Sequence, residues 1–233
     1  MKNAMMDLDK RPLHTRVAES IEAYIEQNNM RPGDELPSEA ELCELTGVSR
    51  VVVRSALSQL AGRGVVKISS GRRARVGSLD PEVLATLVQH GVATSQITVA
   101  KVLEVRRGVE VAASRLAAMR RTEEQADALT EICTLMEQSI DKIEEFVEHD
   151  FAFHLKIAEA TDNQLYTYII QPLSMSIKAS IAKGREKQSD KDKLARIQDT
   201  HRAIERAIRE KDPEAAATAM SNHFEYAAEA VVN

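Results

Sequence analysis

Residues 36–66, LPSEAELCELTGVSRVVVRSALSQLAGRGVV, leave this chain few folds to choose from. They read as a helix, a tight turn at Gly47 and a second helix opened by Ser49. Leu42 and Leu45 give the first helix an apolar side at spacing three. Val53, Ala56, Leu57 and Leu60 give the second a face at i, i+3, i+4 and i+7. Ser49 is of the N-cap type, because its hydroxyl can satisfy a free amide of the first turn. In a helix-turn-helix, the first turns of the second helix reach into the DNA major groove. Arg50 and Arg54 occupy those turns, where an arginine fork matches a guanine edge or a phosphate.

The local charge agrees with that reading. Residues 45–79 contain no acid and seven basic residues: Arg50, Arg54, Arg63, Lys67, Arg72, Arg73 and Arg75. The whole chain carries a net charge of −5, so this positive field is local. Val65-Val66-Lys67-Ile68 and Ala74-Arg75-Val76 read as two short strands, with Ser69-Ser70-Gly71-Arg72-Arg73 as their turn. Such a wing places Arg72 and Arg73 at its tip, within reach of a minor groove or of phosphates. The competing explanations are a solvated basic face on an ordinary helical pair and a hairpin tip that is merely soluble.

This run resembles the winged-helix domain of the GntR family of bacterial transcription regulators. The residues that carry the resemblance are Pro37-Ser38-Glu39, Val48-Ser49-Arg50, Val53-Arg54, Ala56-Leu57 and Gly64-Val65-Val66. It implies DNA contacts from Ser38, Ser49, Arg50, Arg54, Arg72 and Arg73. The chain departs from the family pattern at three places. Ala40 stands where an arginine is usual, Val51-Val52 replace a Thr-Pro-like pair, and Arg73 takes a position where glycine is common.

With 233 residues, one or two domains are expected. Aromatic residues make up only 3% of the chain, so its cores are aliphatic, which favours helices. Cys43 and Cys133 are isolated and read as free thiols rather than a disulfide. No stretch approaches the roughly 18 apolar residues of a membrane span. The opening MKNAMMDLDKRPLHTR lacks the apolar core of a signal peptide, so a cytoplasmic protein is expected.

The chain divides near Gly77, giving an expected DNA-binding domain at 1–77 and a second domain at 78–233. Asp80 can cap a helix that starts at Pro81. Helical segments are expected at 81–90, 98–119, 123–139, 142–160, 164–183, 190–211 and 214–232. Thr122 with Gln125 forms a capping-box signature, and Pro172 should kink or divide its segment. The predicted fold is mainly α: a winged helix-turn-helix with a small β-wing, then an all-α bundle of six or seven helices.

Asp150 and His154 lie four apart and share one helix face amid Phe153, Leu155 and Ile157. Unpaired polarity in an apolar segment is costly and calls for a partner. His201 and His223 lie in two further amphipathic segments, on either side of Pro213. One carboxylate and three imidazoles suit Zn²⁺ first, with Ni²⁺, Mn²⁺ or Fe²⁺ as alternatives. Spacing alone leaves open that each histidine is a surface or satisfied core residue.

The segment from about 81 to 232 is similar to the FCD ligand-binding domain of the FadR branch of that family. The matching residues are Asp150-Phe151-Ala152-Phe153-His154 through Asn163, His201-Arg202-Ala203-Ile204, His223-Phe224, and Glu104-Val105-Arg106-Arg107-Gly108-Val109-Glu110. The resemblance implies metal ligands at Asp150, His154, His201 and His223, and effector contacts at Arg106 and Asn163. It also implies a small carboxylate effector and a homodimer on double-stranded operator DNA, most often repressing. A surface salt bridge with Glu104 or Glu110 is the competing role for Arg106. A metal that only braces the bundle, a pure metal sensor and a metal-dependent enzyme are the rival readings, and the chain is expected not to be an enzyme.

Overall fold

A computed structural model describes residues 11–183 and 191–232; at 179–183, 191–194 and 229–232 only the helical backbone is described. The chain separates into two compact units, Met1–Val83 and Leu84–Asn233.

The first unit holds α1 (Leu13–Gln27), α2 (Glu39–Thr46), α3 (Arg50–Gly62), β1 (Val66–Lys67) and β2 (Arg75–Val76). Val53, Ala56, Leu57 and Leu60 are all buried and pack with Val17, Ile21 and Leu36. Burying each large aliphatic side chain contributes about 1.5–3 kcal/mol, which fixes α1 and α2 on α3. Gly47 ends α2 at φ +68°, and its N–H donates to the Cys43 carbonyl at 2.9 Å. That left-handed turn is what glycine allows and a side chain resists. Leu45 differs from expectation, being 65% exposed. The inward side of α2 is Leu42, Cys43 and Thr46, and Leu45 falls beside it rather than on it.

The strands of the wing are shorter than the sequence suggests. They pair antiparallel, with Val66 opposite Val76 and Lys67 opposite Arg75. The stretch before α2 adds to the same ladder: Glu35 bridges Arg75, and Leu36 N–H donates to the Ala74 carbonyl at 2.8 Å.

The second unit is a helical bundle. The division falls within α4 (Pro81–Ala93), which is followed by α5 (Val99–Arg120), α6 (Glu123–Gln138), α7 (Ile143–Ala160), α8 (Gln164–Lys183), α9 (Lys191–Arg209) and α10 (Pro213–Val232). Among the described residues this unit has no strand. Helix α5 is central and packs against α7, α8, α9 and α10. Phe153, Leu129, Met136, Ile157, Ile170, Ile204, Ile208 and Met220 fill the core. Thr122 and Gln125 form the expected capping box. Asp80 accepts from Glu82 N–H at 3.0 Å. Pro172 does not divide α8, because it removes one backbone donor while buried Ile170 and Leu173 hold the helix on either side. The expected helix start at Asp190 and the first ten residues of the chain lie outside the described residues.

Both cysteines are free. Burial pushes the Cys133 thiol up to about 12, which leaves it unreactive. Among the described residues no helix is long and apolar enough to cross a membrane.

Candidate functional site

The first unit keeps its candidate DNA-contacting groups outside. Ser38 serves the fold as half of a capping box: Glu41 N–H donates to Ser38 Oγ at 3.3 Å, and Ser38 N–H donates to Glu41 Oε2 at 2.7 Å. Ser49 stands at the N-cap position of α3, but its hydroxyl makes no capping bond. Its carbonyl instead accepts from Val52 N–H at 3.0 Å and Val53 N–H at 3.2 Å, tightening the first turn without the side chain. Arg50, Arg54, Arg72 and Arg73 are all exposed. Arg54 Nε donates to both Glu39 oxygens, at 2.9 and 3.0 Å, and Arg73 lies 3.4 Å from Glu41. Such exposed pairs contribute about 0–1 kcal/mol, so a phosphate can displace them. A cleft of about 590 Å³ beside α3 is lined by His14, Thr15, Val51, Arg54, Ser55, Ser58 and Gln59, with no acid. Another, of about 560 Å³, runs along the wing past Lys67, Arg72, Arg73 and Arg75.

The second unit does the reverse. Asp150 and His154 from α7, His201 from α9 and His223 from α10 each offer a ligand atom, and these atoms all lie within 4.8 Å of one another. The three imidazoles are buried, while the Asp150 side chain is 30% exposed and forms the open side. His201 Nε2 lies 3.1 Å from Asp150 Oδ1, and His154 Nε2 lies 3.8 Å from the same oxygen. Neither ring nitrogen of His201 has a well-aligned hydrogen-bond partner. Phe146, Phe153 and Phe224, three of the four phenylalanines in the chain, frame the histidine rings.

Two of the histidines are oriented from behind. Thr200 Oγ1 lies 2.6 Å from the Ile197 carbonyl and 3.0 Å from His223 Nδ1. This contact holds the His223 ring from the side of Nδ1. His154 Nδ1 lies 2.5 Å from Glu110 Oε2, although the ring is not aligned for a linear hydrogen bond. Glu110 in turn accepts from Arg106 Nε at 2.5 Å, and both of these side chains are buried. This arrangement of carboxylate, histidine and open centre is how metal-ligating imidazoles are commonly held.

The electrostatics favour bare ligands. Burial lowers His201 and His223, against the pull of Asp150, so both favour the neutral ring. Burial pushes Asp150 up, but the surrounding histidines outweigh it and hold the group below the usual carboxylate range. Glu110 is likewise raised by burial and brought lower overall by Arg106 and His154. Neutral rings at His201 and His223 beside an ionised Asp150 fit a divalent cation.

The structure brings Asp150, His154, His201 and His223 together as one cluster. It engages Arg106 with Glu110, and in the core rather than on the surface; its Nη2 is buried without a partner, and its guanidinium lies 5.3 Å over the Phe224 ring. Arg107 faces elsewhere, on Ser221 and Glu225. Asn163 is exposed at the break between α7 and α8, where its Oδ1 accepts from Leu165 N–H at 3.1 Å. Sequence reading missed Glu110 and Thr200 as supports of the histidines. Glu110 had two signals, its i+4 spacing from Arg106 and its place in the Glu104–Glu110 stretch that resembles the FCD domain, and neither pointed to His154.

Residues 101–226 match the FCD domain family, and residues 13–76 match the family of bacterial regulatory proteins, gntR family. The Glc operon transcriptional activator of Escherichia coli (strain K12) is 32% identical over 224 residues, covering 92% of this chain and 87% of that protein. The HTH-type transcriptional repressor NanR of Cronobacter sakazakii is 31% identical over 222 residues, covering 93% and 84%. Among solved structures, Streptococcus agalactiae GntR superposes with a TM-score of 0.69 at 23% identity, covering 93% of this chain and 99% of that one, a likeness of fold.

Proposed function

As a member of the GntR family of bacterial regulators, with an FCD domain, this chain is a DNA-binding transcription regulator and not an enzyme, and we propose that it responds to a small organic acid through a divalent metal in its C-terminal bundle. The observation that carries this reading is the convergence of Asp150, His154, His201 and His223, with both ring nitrogens of His201 buried and neither in a well-aligned hydrogen bond. Zinc suits three imidazoles and a carboxylate best; nickel, manganese and iron are the alternatives. When bound, the ion supplies a Lewis-acidic anchor for a carboxylate or hydroxy acid at the positions its four protein ligands leave free. Arg106 Nη2, buried and unpaired, is the cation that would take the acid's charge. Asn163 is less suited, because its Oδ1 is already given to Leu165.

In this reading two copies, in the cytoplasm, present their α3 helices to a pseudo-palindromic operator. The segment 77–81 joins residues 1–77, which bind DNA, to residues 78–233, which bind effector and partner. The acid shifts DNA affinity by its differential affinity for two arrangements of the dimer. The two relatives carry opposite signs, one an activator and the other a repressor; repression relieved by the acid is the version to test.

The experiment is selection of bound duplexes from random-sequence DNA, followed by affinity measurements on zinc-loaded protein with a panel of organic acids. An inverted-repeat site released by one class of acid is the expected result. Affinity that follows zinc and ignores every acid would make the ion itself the signal.

A further inference from the structure

Val51 is 75% exposed, more than any other large hydrophobic side chain among the described residues. It contributes nothing to the core that its neighbours build: Val53 is fully buried and Val52 packs against the same cluster. A β-branched side chain is a modest helix former, so Val51 is not there for α3 either. Its place is the first turn of the recognition helix, directly after Arg50. Arg54 and Ser55 follow at i+3 and i+4, on the same face, and all three line the acid-free cleft beside α3.

A hydrocarbon side chain cannot bond a phosphate or the polar edge of a base. The major groove offers one apolar feature, the 5-methyl group of thymine. We propose that Val51 reads a thymine methyl group at a fixed operator position next to the base read by Arg50 or Arg54. It is then a specificity-determining residue, with Ser49 and the arginines supplying the polar contacts around it.

The test is a scan of the selected operator in which each thymine in turn is replaced by deoxyuridine, which removes the methyl group and keeps every hydrogen-bonding atom. Binding is measured with the full-length protein. One position should cost wild type about three- to fivefold in affinity, the worth of one buried methyl group. Val51→Ser should bind the thymine and deoxyuridine operators equally. The side chain is exposed, so its thermal unfolding should match that of wild type. A flat scan with wild type overturns the proposal whether or not the variant folds. A deoxyuridine penalty that persists unchanged in Val51→Ser also overturns it.

Discussion

The two units expose their chemistry in opposite ways. The first presents Arg50, Arg54, Arg72 and Arg73 to solvent on a frame fixed by Leu36, Val53 and Leu60. The second buries His154, His201 and His223 inside its core, framed by phenylalanines and held from behind by Glu110 and Thr200. An outward surface needs cations of the right type at the right turn, and neighbouring pairs such as Arg54–Glu39 are exchangeable. An inward centre needs every polar atom matched, because an unpaired buried group costs about 1–3 kcal/mol or more. Substitutions in the first unit should therefore weaken binding in graded steps, while those in the second should remove a capacity.

The largest effect expected is at His201. His201→Ala should leave the purified protein without stoichiometric metal after gel filtration, read by elemental analysis. Retained metal would move the site elsewhere. Glu110→Gln comes next, with zinc affinity lowered about 10- to 100-fold by chelator competition, the usual loss when the support of a ligating histidine is removed. An unaltered affinity would reduce Glu110 to a structural partner of Arg106. In the first unit, Arg54→Ala should cost about 1–3 kcal/mol of operator binding and relax the preference at one base pair. Full affinity would contradict the docking of α3.

Acid should also separate the units. His201 and His223 are lowered from 6.5, and Asp150 and Glu110 are lowered from carboxylate values. All four groups take up protons on unfolding in acid, so their contribution is complete above about pH 6.5 and fades as pH falls. His154 and Arg106 face the same centre and add to the repulsion once the rings charge. The melting temperature of metal-free protein should therefore fall from pH 7.5 towards 5. A midpoint that holds or rises over that range would count against neutral buried rings.

The smallest effects compare two serines. Ser38→Ala should cost about 1 kcal/mol of stability, because it removes a capping bond that is made. Ser49→Ala should leave stability alone and lower DNA affinity, since its hydroxyl makes no cap. Equal losses of stability in both variants would erase the distinction.

Much of the first unit is legible in the sequence because its signals are local. The Gly47 turn and the face from Val53 to Leu60 each involve residues a few positions apart. Leu45 misled because α2 is only two turns long, and spacing three alone does not say which side packs. In the second unit the helices and the Thr122 cap are equally readable. The pair Asp150–His154 shows in its spacing, but its meeting with His201 and His223 depends on how α7, α9 and α10 pack, for which family resemblance stood in. The same resemblance includes Glu110 but gave it no part beside His154: it lies on α5, and its contact with His154 exists only once α5 and α7 are side by side.

The most direct test of the central claim is a thermal-shift screen of small organic acids on zinc-loaded protein, repeated after the metal has been stripped with EDTA. The account predicts that a carboxylate or hydroxy acid raises the melting temperature only when zinc is present, and that His201→Ala abolishes the shift. An acid that stabilises the stripped protein as much as the loaded one would contradict it and leave the metal as a brace.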